Sequence, residues 1–127
     1  NGQSSWRIDF YKRLYKHLTK TATDTFLIAI IMQGLRWHFE THDPNVAIDE
    51  EKQHKIGWEH LFRGWIDKGW QKYQEQYLRQ KYPDDKCLLE AGSDWSLKLI
   101  EFLWHAGHQL WTDRCDKVHR KIKRAEE

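Results

Sequence analysis

Arg114 and His119 are the residues whose types and spacing best suit chemistry, closing the six-residue stretch Arg114-Cys115-Asp116-Lys117-Val118-His119. A guanidinium fork stabilises the charge of a phosphorane-like transition state. An imidazole, which titrates near neutrality, carries a proton to or from a 2′-hydroxyl or a leaving group. Such a pair would cleave RNA without a metal ion. On a straight helix the two side chains stand about 140° apart, so one substrate meets both only across the seam of a dimer. The competing reading places Arg114 inside an apolar helix face, paired with a carboxylate or with carbonyl groups, because an unpaired buried charge is strongly unfavourable. His119 is then an edge residue, and this second reading is the one the residues favour.

Other candidates carry less. His105-x-x-His108 has the i, i+3 spacing of a zinc pair, with Cys115 or His119 as conceivable further ligands. No second pair has ligand spacing, and both histidines point away from the apolar face, so they are expected in solvent and no metal or cofactor is assigned. His38 and His42 are weaker still. Cys87 and Cys115 form no C-x-x-C pair and no disulfide framework, which suits a reducing compartment. The start of the chain is polar, without the charged and apolar regions of a secretory signal. The longest apolar run, Phe26 to Met32, is far below the ~20 residues that span a bilayer. An intracellular protein, nuclear or cytoplasmic and off the membrane, is therefore expected.

The net charge of +2 does not imply nucleic-acid binding, but its placement does. Lys12, Arg13, Lys16 and Lys20 lie near the start, and Lys117, Arg120, Lys121, Lys123 and Arg124 near the end, so RNA or DNA is the partner these residues would take. A ladder of Trp58, Trp65, Trp70, Tyr73, Tyr77, Trp95, Trp104 and Trp111 would stack bases if exposed. Its helical spacing predicts core instead. No phosphate-binding glycine loop, dinucleotide fingerprint or H-E-x-x-H is present, which leaves nucleotide hydrolysis and metalloprotease chemistry without support.

These residues must be positioned by helices. Seven glycines and two prolines are few for 127 residues, and apolar residues recur every three or four. Eight Trp, five Tyr and five Phe offset a charged fraction of 31%, since each aromatic buries roughly 150–250 Å². The pattern predicts one all-α domain over 1–127, a single bundle of about five helices with a Trp-rich core, its ends at 1–4 and 124–127 loosely held. The first helix spans about Ser5 to Thr19, with Trp6, Phe10, Leu14 and Leu18 inward. The second, about Asp24 to Glu40, is apolar almost all round and belongs at the centre. A third spans about Ile48 to Arg63 and ends at Gly64. Asp67 caps a fourth that reaches Lys81 before Pro83. A loop from Asp84 to Ser93 leads to Asp94, which caps a long final helix to about Lys123. On that helix Leu99, Leu103, Ala106 and Leu110 make one inner stripe. Ile100, Trp104, Gly107, Trp111, Cys115, Val118 and Ile122 make a second, with Arg114 between them.

Two resemblances follow from these residues. Ile56-Gly57-Trp58, Gly64, Ile66, Trp70, Gln74 and Tyr77, followed by Trp95, Leu103-Trp104, Leu110-Trp111, Arg114 and Val118-His119, resemble a helical block in polyproteins of retrotransposon-like elements of algae and diatoms. Trp65 stands where that block often has Arg, and Asp67 where it has Ser. The resemblance covers roughly the last 70 residues and implies a helical module outside the polymerase. The R-x-x-x-x-H spacing of Arg114 and His119 is similar to the signature of HEPN domains, though Cys115 departs from that family's usual Asn, Asp or His. HEPN members are small helical bundles that often dimerise, and many cleave RNA without metal at a cleft between protomers. Together these imply an accessory module of a mobile-element protein that self-associates as a homodimer and contacts nucleic acid without sequence preference. A HEPN-type ribonuclease using Arg114 and His119 and a purely structural interaction module are the alternatives.

Overall fold

The computed structural model of the protein describes residues 2–41, 52–85 and 91–126. All regular structure among the described residues is helical. Helix α1 runs Gly2–Lys20, and its predicted stripe is in place: Phe10, Leu14 and Leu18 are fully buried, and the half-buried Trp6 stacks on Phe10 with ring centroids 4.9 Å apart. The chain reverses through Thr21–Asp24, where Ala22 takes a left-handed φ of 55°. Asp24 then caps α2 (Thr25–Arg36), its Oδ2 accepting from the amides of Phe26 and Leu27 at 3.1 and 3.4 Å. A π-turn at Trp37–Thr41 continues α2. Glu40 on that turn pairs with Arg7 of α1 at 3.5 Å. Burial, then Glu40, pushes the Tyr11 hydroxyl beside them up to about 12.

The third predicted helix is two elements, and its first residues fall outside the described ones. Helix α3 (Lys52–Ile56) stops at Gly57, whose φ of 106° turns the chain into a 3₁₀ segment, Trp58–Arg63. The break lets Trp58 fold inward against α2. Its ring occupies the space beside Gly34 so closely that a Cβ there would lie 1.9 Å from it. Trp58 is consequently 1% exposed and packs on Trp70 at 5.9 Å. Gln53, wholly buried, ties the break together. Its Nε2 donates to the Trp65 carbonyl at 2.9 Å, and its Oε1 accepts from the Asp67 amide at 2.7 Å. Asp67 caps α4 (Lys68–Lys81) through the Gly69 amide at 2.8 Å, as its sequence position predicts.

Helix α5 (Ala91–Glu126) begins three residues before Asp94, which sits within the first turn and is not its cap. Gly92 allows the close crossing with α4, where a Cβ would meet the Gln71 carbonyl at 2.8 Å. Among the described residues α5, not α2, is the hub. Its first half touches α1, α4 and the 3₁₀ segment, while α2 leaves Phe26, Ala29, Gln33 and Arg36 exposed. The expectation of a central second helix is not met among the described residues, which cover α2 on the face of Leu27, Ile28, Ile31, Met32, Gly34 and Leu35 and not all round. Helices α1 and α5 run antiparallel: Trp95 Nε1 donates to Thr23 Oγ1 at 2.8 Å, His17 stacks on Phe102 at 4.7 Å, and Arg13 Nη1 donates to Gln109 at 3.3 Å.

The Trp residues therefore divide. Trp58, Trp70 and Trp95 are core, whereas Trp104 and Trp111 are 52% and 65% exposed. Trp70→Ala should lower unfolding free energy by about 3–5 kcal/mol, and Trp111→Ala by less than about 1 kcal/mol, in urea titrations at sub-micromolar protein.

Candidate nucleic-acid interface

The 36 residues of α5 span about 54 Å, more than the bundle beside them needs. Gly107 still packs on Phe62, and past it two shallow hollows flank the helix: one shared with Glu59, Phe62 and Arg63 of the 3₁₀ segment, the other where Trp6 of α1 faces Leu110, Asp113, Lys117 and Arg120. The first predicted stripe is buried through Ala106 and half-buried at Leu110. The second is not. Ile100 and Gly107 are half-buried, and Trp104, Trp111, Cys115, Val118 and Ile122 are exposed. Periodicity identifies the apolar faces of this helix correctly, but among the described residues the 3₁₀ segment covers the second one only in part, at Ile100 and Gly107, and leaves Trp104, Trp111, Cys115, Val118 and Ile122 open.

Arg114 is therefore exposed, and it makes no ion pair among the described residues. Its expected burial and its expected internal acceptor are both overturned, because the apolar face in which it lies is itself uncovered. His119 is likewise exposed. The two flank one shallow apolar hollow formed by Trp111, Cys115, Val118 and Ile122. Among the described residues of a single chain, no further acid, base or oxyanion donor joins them there.

The basic residues fall into two groups. Lys117, Arg120, Lys121, Lys123 and Arg124 are all exposed on the last turns of α5. Lys12, Lys16 and Lys20 are exposed along the outer face of α1. Arg13 differs from them. Half-buried, it makes an ion pair with Asp9 at 3.0 Å, not an aligned hydrogen bond, while its Nη1 reaches Gln109, so it fastens α1 to α5 and is not a free cation. His17, stacked on Phe102, is held below its ordinary value of 6.5 by burial first and then by Lys20 and Lys98.

The exposed aromatics add a surface that the helical spacing pointed away from. Trp104 stacks face to face on His108 at 5.2 Å with a 3° interplanar angle, and Trp111 lies two turns further along the helix. Trp65, 63% exposed, is a third open indole. Flat rings beside guanidinium and ammonium groups are the elements of a single-strand stacking platform. His105 and His108 are both exposed, but His108 lies on the uncovered apolar face against Trp104 and not away from it as the wheel predicts. Among the described residues no three His, Cys, Asp or Glu side chains converge as a metal site. No described helix is long and apolar enough to cross a membrane. The chain matches no protein-family model, no curated protein and no solved structure.

His17 generates a pH prediction. Because its folded-state pKa lies below the unfolded one, the unfolded chain takes up the proton first as pH falls through about 6.5, and stability drops until the folded value is passed. His17→Phe keeps the stack on Phe102 and should flatten this loss. Urea midpoints at about one pH unit above and below that value check it for the two proteins. An equal loss in both would refute the assignment.

Proposed function

We propose that the chain is a helical accessory module of a mobile-element protein that self-associates and contacts RNA or DNA without sequence preference. The observation that carries this reading is the second half of α5. It carries the exposed cations Lys117, Arg120, Lys121, Lys123 and Arg124, and on another side an uncovered face holding Trp104 and Trp111. Phosphates meet the cations, and the uncovered apolar face is the surface left for self-association. Lys12, Lys16 and Lys20 add exposed positive charge along α1. The mobile-element context rests on the resembling block. Gly57, Trp58, Gly64, Trp70, Gln74, Trp95 and Leu103 in that block are accounted for by turns and packing. Trp104, Trp111, Arg114, Val118 and His119 stay exposed and are free for binding.

Binding should be weak at physiological salt and steeply salt-dependent. Reversing Lys117, Arg120 and Lys121 to Glu should weaken it at least tenfold. The slope of log K against log salt should also become shallower, by about one for each phosphate no longer neutralised. Fluorescence anisotropy with single-stranded RNA and DNA at 50–200 mM salt (about the range over which such slopes are read) measures both. No binding at high micromolar protein in the lowest salt would remove nucleic acid as the partner.

One observation favours the ribonuclease alternative: Arg114 and His119 border the same hollow, so a second copy laid parallel over it would bring each Arg114 near the partner's His119. In that case His119→Ala abolishes cleavage of single-stranded RNA while leaving the melting temperature unchanged. We expect no cleavage by the native chain in metal-free buffer. Turnover that is lost in His119→Ala would replace the binding module with the enzyme.

A further inference from the structure

The uncovered face of α5 is longer than the tail. Leu97, Trp104, Trp111 and Val118 recur at intervals of seven residues and are 62%, 52%, 65% and 56% exposed. Between them Asp94, Glu101, His108, Cys115 and Ile122 recur at the same interval, and all five are exposed. The alternation of three and four residues is the seam of a two-helix coiled coil, flanked among the described residues only by Glu59, Phe62 and Arg63, across an open hollow beside Trp104, His108 and Trp111. With a tryptophan presenting roughly 150–250 Å² when fully open, the five large apolar side chains offer on the order of 500 Å² per copy. The histidines and the aliphatic stems of flanking cations bring the strip toward the ~800 Å² per partner of a stable pair.

We propose that this strip is covered by the same strip of a second copy, running antiparallel about a two-fold axis between Gln109 and Leu110. The charge along the helix sets the direction. The last turns carry Arg114, Lys117, Arg120, Lys121, Lys123 and Arg124 against Asp113, Asp116 and Glu126, a surplus of three positive charges, whereas the seam's early positions hold Asp94 and Glu101. A parallel pair stacks Asp94 on Asp94, Glu101 on Glu101 and one basic end on the other. The antiparallel pair runs each basic end past the partner's Asp94 and Glu101, and it seats Leu97 against the partner's Ile122, Trp104 against the partner's Cys115 and His108 against the partner's Trp111. An isologous contact of this kind closes on itself as a dimer. Lys117, Arg120, Lys123 and Arg124 lie off the seam and stay open to phosphate. Arg114 and the partner's His119 are held about 14 residues apart along the axis, roughly 21 Å, too far to share a substrate.

This inference rests on the self-association half of the proposed function and adds its surface and direction. Sedimentation velocity of the full chain across micromolar concentrations should show a monomer–dimer equilibrium, weakened at least tenfold by Trp111→Glu, with the circular dichroism of the bundle retained. Direction is read by oxidative cross-linking in a background with Cys87→Ser and Cys115→Ser. Leu97→Cys with Ile122→Cys should give a covalent dimer, and Leu97→Cys alone should give none. A monomer at every concentration overturns self-association altogether. A dimer insensitive to Trp111→Glu overturns the surface. A dimer in which native Cys115, or Leu97→Cys alone, cross-links to itself overturns the antiparallel direction, leaves self-association standing and restores the Arg114–His119 cleft.

Discussion

The bundle hangs on the short reversal between α1 and α2. Thr21–Asp24 contains a left-handed Ala22 and exposes backbone groups that no helix ladder satisfies. Gln74 satisfies two of them, and Trp95 holds the Thr23 side chain at the same turn. Gln74 of α4, fully buried, donates to the Ala22 carbonyl at 2.8 Å and accepts from the Asp24 amide at 3.0 Å. Trp95 of α5 donates to Thr23 at 2.8 Å. A buried amide with both ends paired is worth holding, and one left unpaired is costly, so these bonds select one arrangement of four helices from many with similar apolar burial. The registry of α1 against α5, which places His17 on Phe102 and Arg13 by Gln109, follows from that fixed end. A second buried glutamine, Gln53, plays the same part where α3 gives way to the 3₁₀ segment, so polar side chains hold both interruptions of helical structure.

With the Thr21–Asp24 end fixed, the other end of α5 is left over. Packing accounts for Leu99, Leu103 and Ala106, and it accounts for nothing on the face that holds Trp104, Trp111, Val118 and Ile122. Large apolar side chains in a continuous exposed line are uncommon on monomers and mark places of contact. The same turns carry the densest positive charge in the chain. Apolar strip and cations lie on different sides of one helix, so a protein partner and a nucleic acid need not compete for it.

Much of this is legible in the sequence where local chemistry decides it. Asp67 is a cap at both levels, Asp24 stands at the predicted start of its helix and caps it, Gly64 ends its segment, and the inner stripe of α1 is buried as spaced. The failures share a cause. Periodicity says which face of a helix is apolar and not whether another element exists to cover it, so it predicts burial for Arg114, Trp104 and Trp111 around a core that stops near Gly107. The apolar circumference of α2 misleads in the same way. The break at Gly57 is hidden because glycine within a helical pattern has two meanings, and the one realised depends on Trp58 finding the slot beside Gly34, a contact 24 residues away in the chain. Gln53 and Gln74 give no signal at all, since a glutamine on a helix reads as surface until its partners are known.

From His108 to Glu126 the final helix contains neither glycine nor proline, so its phase is carried without slack from the body to the tip. One inserted or deleted residue in that stretch would swing everything beyond it by about 100°, turning Val118 and Ile122 away from Trp104 and setting the basic turns over a different side. A change of seven residues would return the line to within about 20° of its course. Natural variants of this protein therefore have little freedom to drift in length by single residues here, and much to lengthen or shorten by whole heptads, with the reach of the tail adjusted in steps of about 10 Å.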